Sequence, residues 1–329
     1  MKSLTLNAAL LAGLAAAAAW SMTLGPAPLS PADIWAGLWG NQDMRVVLVV
    51  QEIRLPRLLL GLIVGAALGL SGAALQGLLR NPLAEPGIIG TSSCAALGAV
   101  LALYYGWAAA FALALPLAGM LGAAIGTLAL LLLSGRDADT LTMILTGVAI
   151  SSVAGSMTSL AMNLSPTPYA VTEIVMWMMG SLKDRSMADV VLAAPFVALG
   201  FLLLAATGTG LNALTLGEEA AVSLGVNLTR LRLAVIVGAA LSVGASVAAA
   251  GAVGFVGLIV PHLLRPLTGY RPSALLLPSA LGGALLITAA DIAVRLIPAS
   301  TELMLGVVTA LVGGPFFFVL ILKLRKAHP

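Results

Sequence analysis

The fifty residues between Glu85 and Arg136 carry no charged side chain. A soluble domain covers its surface with charge at roughly a quarter of its positions. A membrane-crossing helix needs about 20 consecutive apolar residues, so this one gap accommodates two crossings. Tyr104, Tyr105, Gly106 and Trp107 stand near its middle. Aromatic residues gather at the membrane–water boundary, and the glycine among them fits a turn there. The rest of the chain has the same character. Of its 329 residues, 60% are hydrophobic and only 9% charged. That excludes an ordinary cytosolic enzyme, a nucleic-acid binder and a disordered chain. The formal net charge of +3 is a small excess of bases on a nearly uncharged background and points to no nucleic-acid partner. The single cysteine, Cys94, excludes a disulfide framework and a cysteine metal cluster. Two histidines, His262 and His328, are too few for a histidine-rich metal site, so no metal is expected.

The apolar runs predict one all-α integral membrane domain over residues 1–329 with ten transmembrane helices, at roughly 4–23, 56–79, 89–105, 107–133, 141–164, 188–207, 231–250, 252–266, 274–296 and 303–322. The first run also has features of a signal peptide, with Lys2 as its basic end. No small-x-small cleavage site comes after Trp20, so it reads as a span. The stretch Leu233 to Leu264 is short for two full helices. Gly251, Gly254 and Gly257 are placed to break a helix inside the membrane, and Pro261 to kink the helix beyond them. Interrupted spans of this kind line transport pathways.

Cytoplasmic loops carry the excess of Lys and Arg. With both termini inside, ten of the 16 bases fall on the cytoplasmic side: Lys2, Arg80, Arg136, Arg230, Arg232, Arg265, Arg271, Lys323, Arg325 and Lys326. Six fall outside: Arg45, Arg54, Arg57, Lys183, Arg185 and Arg295. Lipid gives helices no hydrophobic reason to associate, so small residues must let backbones approach. Gly61, Gly65 and Gly69, and again Gly122 and Gly126, supply such faces, for packing within the chain or between two copies.

No G-x-x-x-x-G-K-[ST] phosphate loop is present, so the chain has no such means of hydrolysing ATP. Ion-coupled transporters use carboxylates inside the membrane. Here only Asp291, and Glu52 or Glu302 at the margins, lie near a span. The driving force is therefore expected from another subunit. A secondary transporter acting without an ATPase is the competing reading, and a channel or scaffold a third.

Four polar stretches stand out. Arg80 to Gly87 contains Pro82 and Pro86, which force extended or turn geometry before them; it is a stiff connector or a loop closing a pore. Asn212 to Arg232 is the longest cytoplasmic loop, its core at about 212–230. Thr215-Leu216-Gly217-Glu218 has the form of a capping box. Ala220, Ala221 and Leu224 would continue a short helix, Gly225 would end it left-handed, and Asn227 would cap the next. Arg54-Leu55-Pro56-Arg57 at the outer mouth of the second span is either an interfacial anchor or a rigid positive surface for an acidic partner. Asp291 and Arg295 have the i, i+4 spacing of a helix salt bridge, and Arg295 lies at the outer end of its span. His262 reads as a hydrogen-bonded interfacial residue and Cys94 as a small packing residue. Met176, Met178 and Met179 with Trp177 read as packing, or as a soft wall facing a large substrate.

Together Arg54-Leu55-Pro56-Arg57, Arg80-Asn81-Pro82-Leu83-Ala84, Gly90-Thr91-Ser92-Ser93, Leu216 to Gly225, Gly254 to His262, and Gly306 to Leu311 with Gly314-Pro315-Phe316-Phe317 resemble the FecCD-type permeases of ABC importers. The resemblance runs from about 30 to 325. It implies a type II ABC importer permease fold in the bacterial inner membrane and a homodimer around one pathway. It also implies two cytoplasmic ATPase subunits that carry the ATP and Mg, with no cofactor on this chain, and a periplasmic substrate-binding protein. It further implies that Thr215, Leu216, Gly217, Glu218, Glu219, Ala220, Leu224 and Gly225 couple to the ATPase. Arg54, Arg57 and Arg295 would receive acidic residues of the binding protein. Asn81, Pro82 and Leu83, and more loosely Thr140 and Leu141, resemble cytoplasmic gates. The cargo implied is a metal chelate: a ferric siderophore first, then heme or cobalamin. One departure is Glu302-Leu303-Met304-Leu305-Gly306, where the family more often has a proline near Met304.

Overall fold

The computed structural model describes residues 2–40, 43–111, 113–135, 139–165, 167–297 and 302–327. Arg136 and His328 lie outside the described residues. The described residues form helices and no strand. Ten helical segments occupy the ten apolar runs: α1 Lys2–Thr23, α2 Leu55–Leu78, α3 Thr91–Tyr104, α4 Ala114–Ser134, α5 Thr140–Asn163, α6 Met187–Ala206, α7 Leu228–Ala250, α8 Val256–Leu264, α9 Pro272–Leu296 and α10 Leu305–Ala327. Among the described residues seven helical runs are long and apolar enough to cross a membrane, so the expected ten full spans are not all met; α3, with 14 residues, and α8, with nine, are too short.

Three boundaries depart from expectation. Residues 49–54 form a wide helical turn that joins Met44–Leu48 to α2, giving one 35-residue helical run, Met44–Leu78. The apolar Val46 to Val50 of the outer segment thus belongs to the span. After Gly106, which turns the chain at φ +70, a short helix Trp107–Ala110 intervenes and α4 begins only at Ala114. The span expected at 252–266 contracts to the nine residues of α8. At 1.5 Å per residue that is about 14 Å, under half of the hydrocarbon thickness.

The glycines explain the packing. A methyl on Gly65 would lie 2.3 Å from the Gly283 carbonyl of α9, and one on Gly69 2.0 Å from the Ser279 carbonyl. A methyl on Gly122 would lie 2.1 Å from the Cys94 carbonyl of α3. Both glycine faces therefore serve contacts within the chain. Cys94 is a packing residue, its Sγ beneath Gly126. In contrast α4 turns Leu121, Ile125, Leu128 and Leu132 outward, as a lipid-facing helix does.

The break falls where the glycines predict it. α7 ends at Ala250, Gly251 takes φ +74, residues 251–254 leave the helix, and Phe255 at φ +68 starts α8. A side chain on Gly251 would meet the Trp177 carbonyl. Backbone groups near the break find protein partners: Ser181 N–H donates to the Ala250 carbonyl (2.8 Å) and Gly306 N–H to that of Met179 (3.0 Å). Irregular backbone at membrane depth requires such partners.

Candidate functional site

At the end of the bundle expected to face outward, α2 and α9 bring together the charges flanking their spans. Arg57 Nε donates to Asp291 Oδ1 (2.9 Å), and its Nη2 also pairs with Glu302. Arg295 forms the expected helical ion pair with Asp291 (2.8 Å) and donates to the Ser21 carbonyl (2.9 Å). Arg54, Arg57, Arg295 and Glu302 line one cavity of about 580 Å³. Arg54 differs from its neighbours. It is 5% exposed and donates to the Met22 (2.6 Å) and Ala27 carbonyls, so it braces the segment after α1. The sequence motif hides this because those acceptors are backbone carbonyls some thirty residues away. Glu302 was legible only as a charge near a span; its pairing with Arg57 joins residues 245 apart.

At the other end, the loop Asn81 to Leu83 is held by its own side chain, Asn81 Oδ1 accepting from Leu83 N–H (2.9 Å). The chain then runs to a tight turn, Pro86–Ile89. Pro86 packs on Gly257, and Gly147 of α5 lies against the Ile88 carbonyl. The proposed gate loop is thereby tied to the helix break and to α5. Thr140 and Leu141 open α5, whose amino end is capped by Asp139 accepting from Thr142 N–H (2.8 Å). Asp139 is exposed, and hydrogen bonds from Thr142 hold its carboxyl below the usual range. Further along α5, Ser152, Ser156, Ser159 and Asn163 share one exposed face. Their spacing of four, three and four residues in an uncharged helix was the available signal for a polar lining.

The segment 215–227 corrects one expectation. Thr215 does not cap the short helix. It keeps helical geometry at the end of Gly208–Leu214 and donates its hydroxyl to the Asn212 carbonyl (2.7 Å). Gly217 at φ +107 occupies the cap position with no side chain to offer, and the helix is Glu218–Ser223. Gly225 does turn left-handed at φ +85, and Asn227 caps α7 by accepting from Arg230 N–H (2.9 Å). Glu218 pairs with Arg232 of α7 (2.8 Å), while Ala221 is buried and Leu216, Val222 and Leu224 are exposed. The short helix is thus pinned on one side and apolar on the other. The methionine cluster divides: Trp177 is buried, while Met178 and Met179 line a cavity of about 400 Å³ with Ala252, Gly306, Val307 and Ala310, next to the break. Pro261 lies within α8, and His262 packs edge-on against Phe316.

The family model described as the FecCD transport family matches residues 13–323. Among curated proteins, the uncharacterized ABC transporter permease protein YvrB of Bacillus subtilis strain 168 is 38% identical over 303 residues, covering 89% of this chain and 84% of its own. The vitamin B12 import system permease protein BtuC of Salmonella typhimurium is 39% identical over 304 residues, covering 92% and 90%. A solved structure of a putative metal-chelate type ABC transporter in an inward-facing conformation superposes with a TM-score of 0.85 at 32% identity, covering 98% of this chain and 99% of that one.

Proposed function

The chain belongs to the FecCD transport family and is a translocation subunit of the metal-chelate ABC importer type; from that premise we propose that it moves a corrinoid inward. The vitamin B12 permeases among its relatives support a corrinoid over the ferric siderophore that the sequence resemblance puts first, with heme behind both. Two copies enclose the pathway in this reading. The hydroxyl face of α5 lines it, and the methionine-walled cavity beside the break offers a soft surface to a large ligand. Both termini lie in the cytoplasm and the chain sits in the bacterial inner membrane.

The observation that carries the coupling role is the exposure of Leu216, Val222 and Leu224, on and beside a short helix pinned by Glu218–Arg232. Such a helix outside the bilayer needs a partner to cover it, and an ATPase subunit is that partner. ATP and the periplasmic binding protein must favour different conformations for transport to be directional. At the outer cavity, Arg57 and Arg295 are the residues proposed to receive acidic side chains of the binding protein, with Arg54 acting behind them as a brace. Uptake of labelled cobalamin and of labelled ferric siderophore into cells carrying only this importer tests the substrate. Cobalamin uptake that vanishes on deletion of the ATPase is the expected result; siderophore uptake alone would overturn the corrinoid reading.

A further inference from the structure

The cytoplasmic end of α2 holds a cation without an anion. Arg265 comes directly after α8 and is half-buried. Its Nη2 donates to Gln76 Oε1. Gln76 is 2% exposed, and its Nε2 donates to the carbonyls of Gly257 (3.2 Å) and Leu258 (3.4 Å). With its amide nitrogen committed to two carbonyls, this carboxamide must turn its oxygen toward Arg265, which fixes the guanidinium. Arg265 and Gln76 line a half-enclosed cavity of about 180 Å³ together with Arg80, Thr215 and Tyr270. The Thr215 hydroxyl is already committed to the Asn212 carbonyl. Two guanidiniums and a phenol remain as donors. No carboxylate lines the cavity, and among the described residues neither Arg80 nor Arg265 is in an ion pair.

A cation drawn partly out of water without a counter-charge is costly. A guanidinium is a planar fork of donors that matches two oxygens of a phosphate or carboxylate at once, and two of them line this cavity. We propose that this cavity binds a phosphate-type oxyanion, either free phosphate or the phosphodiester of an anionic lipid headgroup. Its walls come from α2, from the residue after α8 and from Thr215 at the head of the 216–225 segment. An occupant would therefore brace those elements against one another. This site is independent of the identity of the cargo.

The test uses the full chain in detergent and in nanodiscs. In the first arm, inorganic phosphate is titrated against the thermal unfolding midpoint, with chloride at matched ionic strength as reference. In the second, phosphatidylglycerol retained from mixed-lipid nanodiscs is measured by native mass spectrometry. A saturable rise with phosphate identifies the free ion, and retained phosphatidylglycerol identifies the lipid. Either is expected to weaken about tenfold or more in Arg80→Gln and to vanish in Arg80→Gln/Arg265→Gln, while Arg45→Gln on the outer side changes nothing. Because Arg265 is tied to buried Gln76, its variant could fail to fold; the exposed Arg80 variant then decides alone. No saturable effect in either arm, or the same effect in Arg80→Gln as in the unaltered chain, overturns the proposal. So does an Arg80→Gln variant whose only defect is loss of ATPase attachment, since the cavity would then receive a protein carboxylate.

Discussion

Gly65 and Gly69 illustrate how much single atoms decide in a bundle without a hydrophobic drive between helices. Each faces a carbonyl of α9 at a distance that no side chain tolerates. Gly69→Val is expected to cost about 1–3 kcal/mol through overpacking, read as a lowered thermal midpoint, whereas Gly155, with open space around it, should accept alanine with little change. Arg54 gives a second prediction at this scale. It is nearly fully buried and satisfies two backbone carbonyls, so Arg54→Ala should lose about 1–3 kcal/mol of stability. Arg57→Glu should instead weaken binding-protein affinity, and equal affinities for Arg57→Glu and the unaltered chain would refute its docking role. Asp139 supplies a pH test. Its carboxyl is held below its ordinary value by Thr142, so the cap is present at neutral pH and is lost as pH falls through about 4 and below. Protection of the Thr142 amide from hydrogen exchange, relative to the intrinsic rate at each pH, should fall over that range and should stay flat in Asp139→Ala.

Among the elements, the short helix Glu218–Ser223 is the part that must answer to a partner. Glu218→Lys with Glu219→Lys breaks the pin to Arg232 and reverses charge on the exposed face. It is expected to reduce co-purification of the ATPase at least several-fold, and unchanged recovery in a pull-down would count against the coupling role. The same helix shows where sequence reasoning reached and where it stopped. Gly225 and Asn227 were legible because a left-handed turn and an N-cap are set by the residue itself. Thr215 was not, because the preceding helix Gly208–Leu214 holds it in helical geometry and a spacing rule cannot register that neighbour. The break at 251–255 was legible from its glycines. The contraction of α8 to nine residues was not, since it depends on contacts with Gly72, Gln76 and Pro86 from distant parts of the chain. Likewise the polar outer charges were readable as a set, but the division into a buried brace, Arg54, and a cavity pair, Arg57 and Arg295, required the fold.

Over the whole molecule, the scarcity of charge and the positions of the few charges present belong together. Asp291 and Glu302 are occupied by Arg57 and Arg295 at the end expected to face outward, which leaves them poorly placed to carry a coupling ion through the membrane. The exposed apolar helix at the other end offers a place where energy enters from outside the chain. Transport is therefore expected to depend on two separate partners, one at each face. The most direct measurement is uptake of labelled cobalamin into proteoliposomes holding this permease, with the ATPase and binding protein added or omitted and ATP supplied on the cytoplasmic side. Accumulation is expected only when both partners and ATP are present. Accumulation that persists without the ATPase and is driven by an ion gradient would contradict a borrowed driving force.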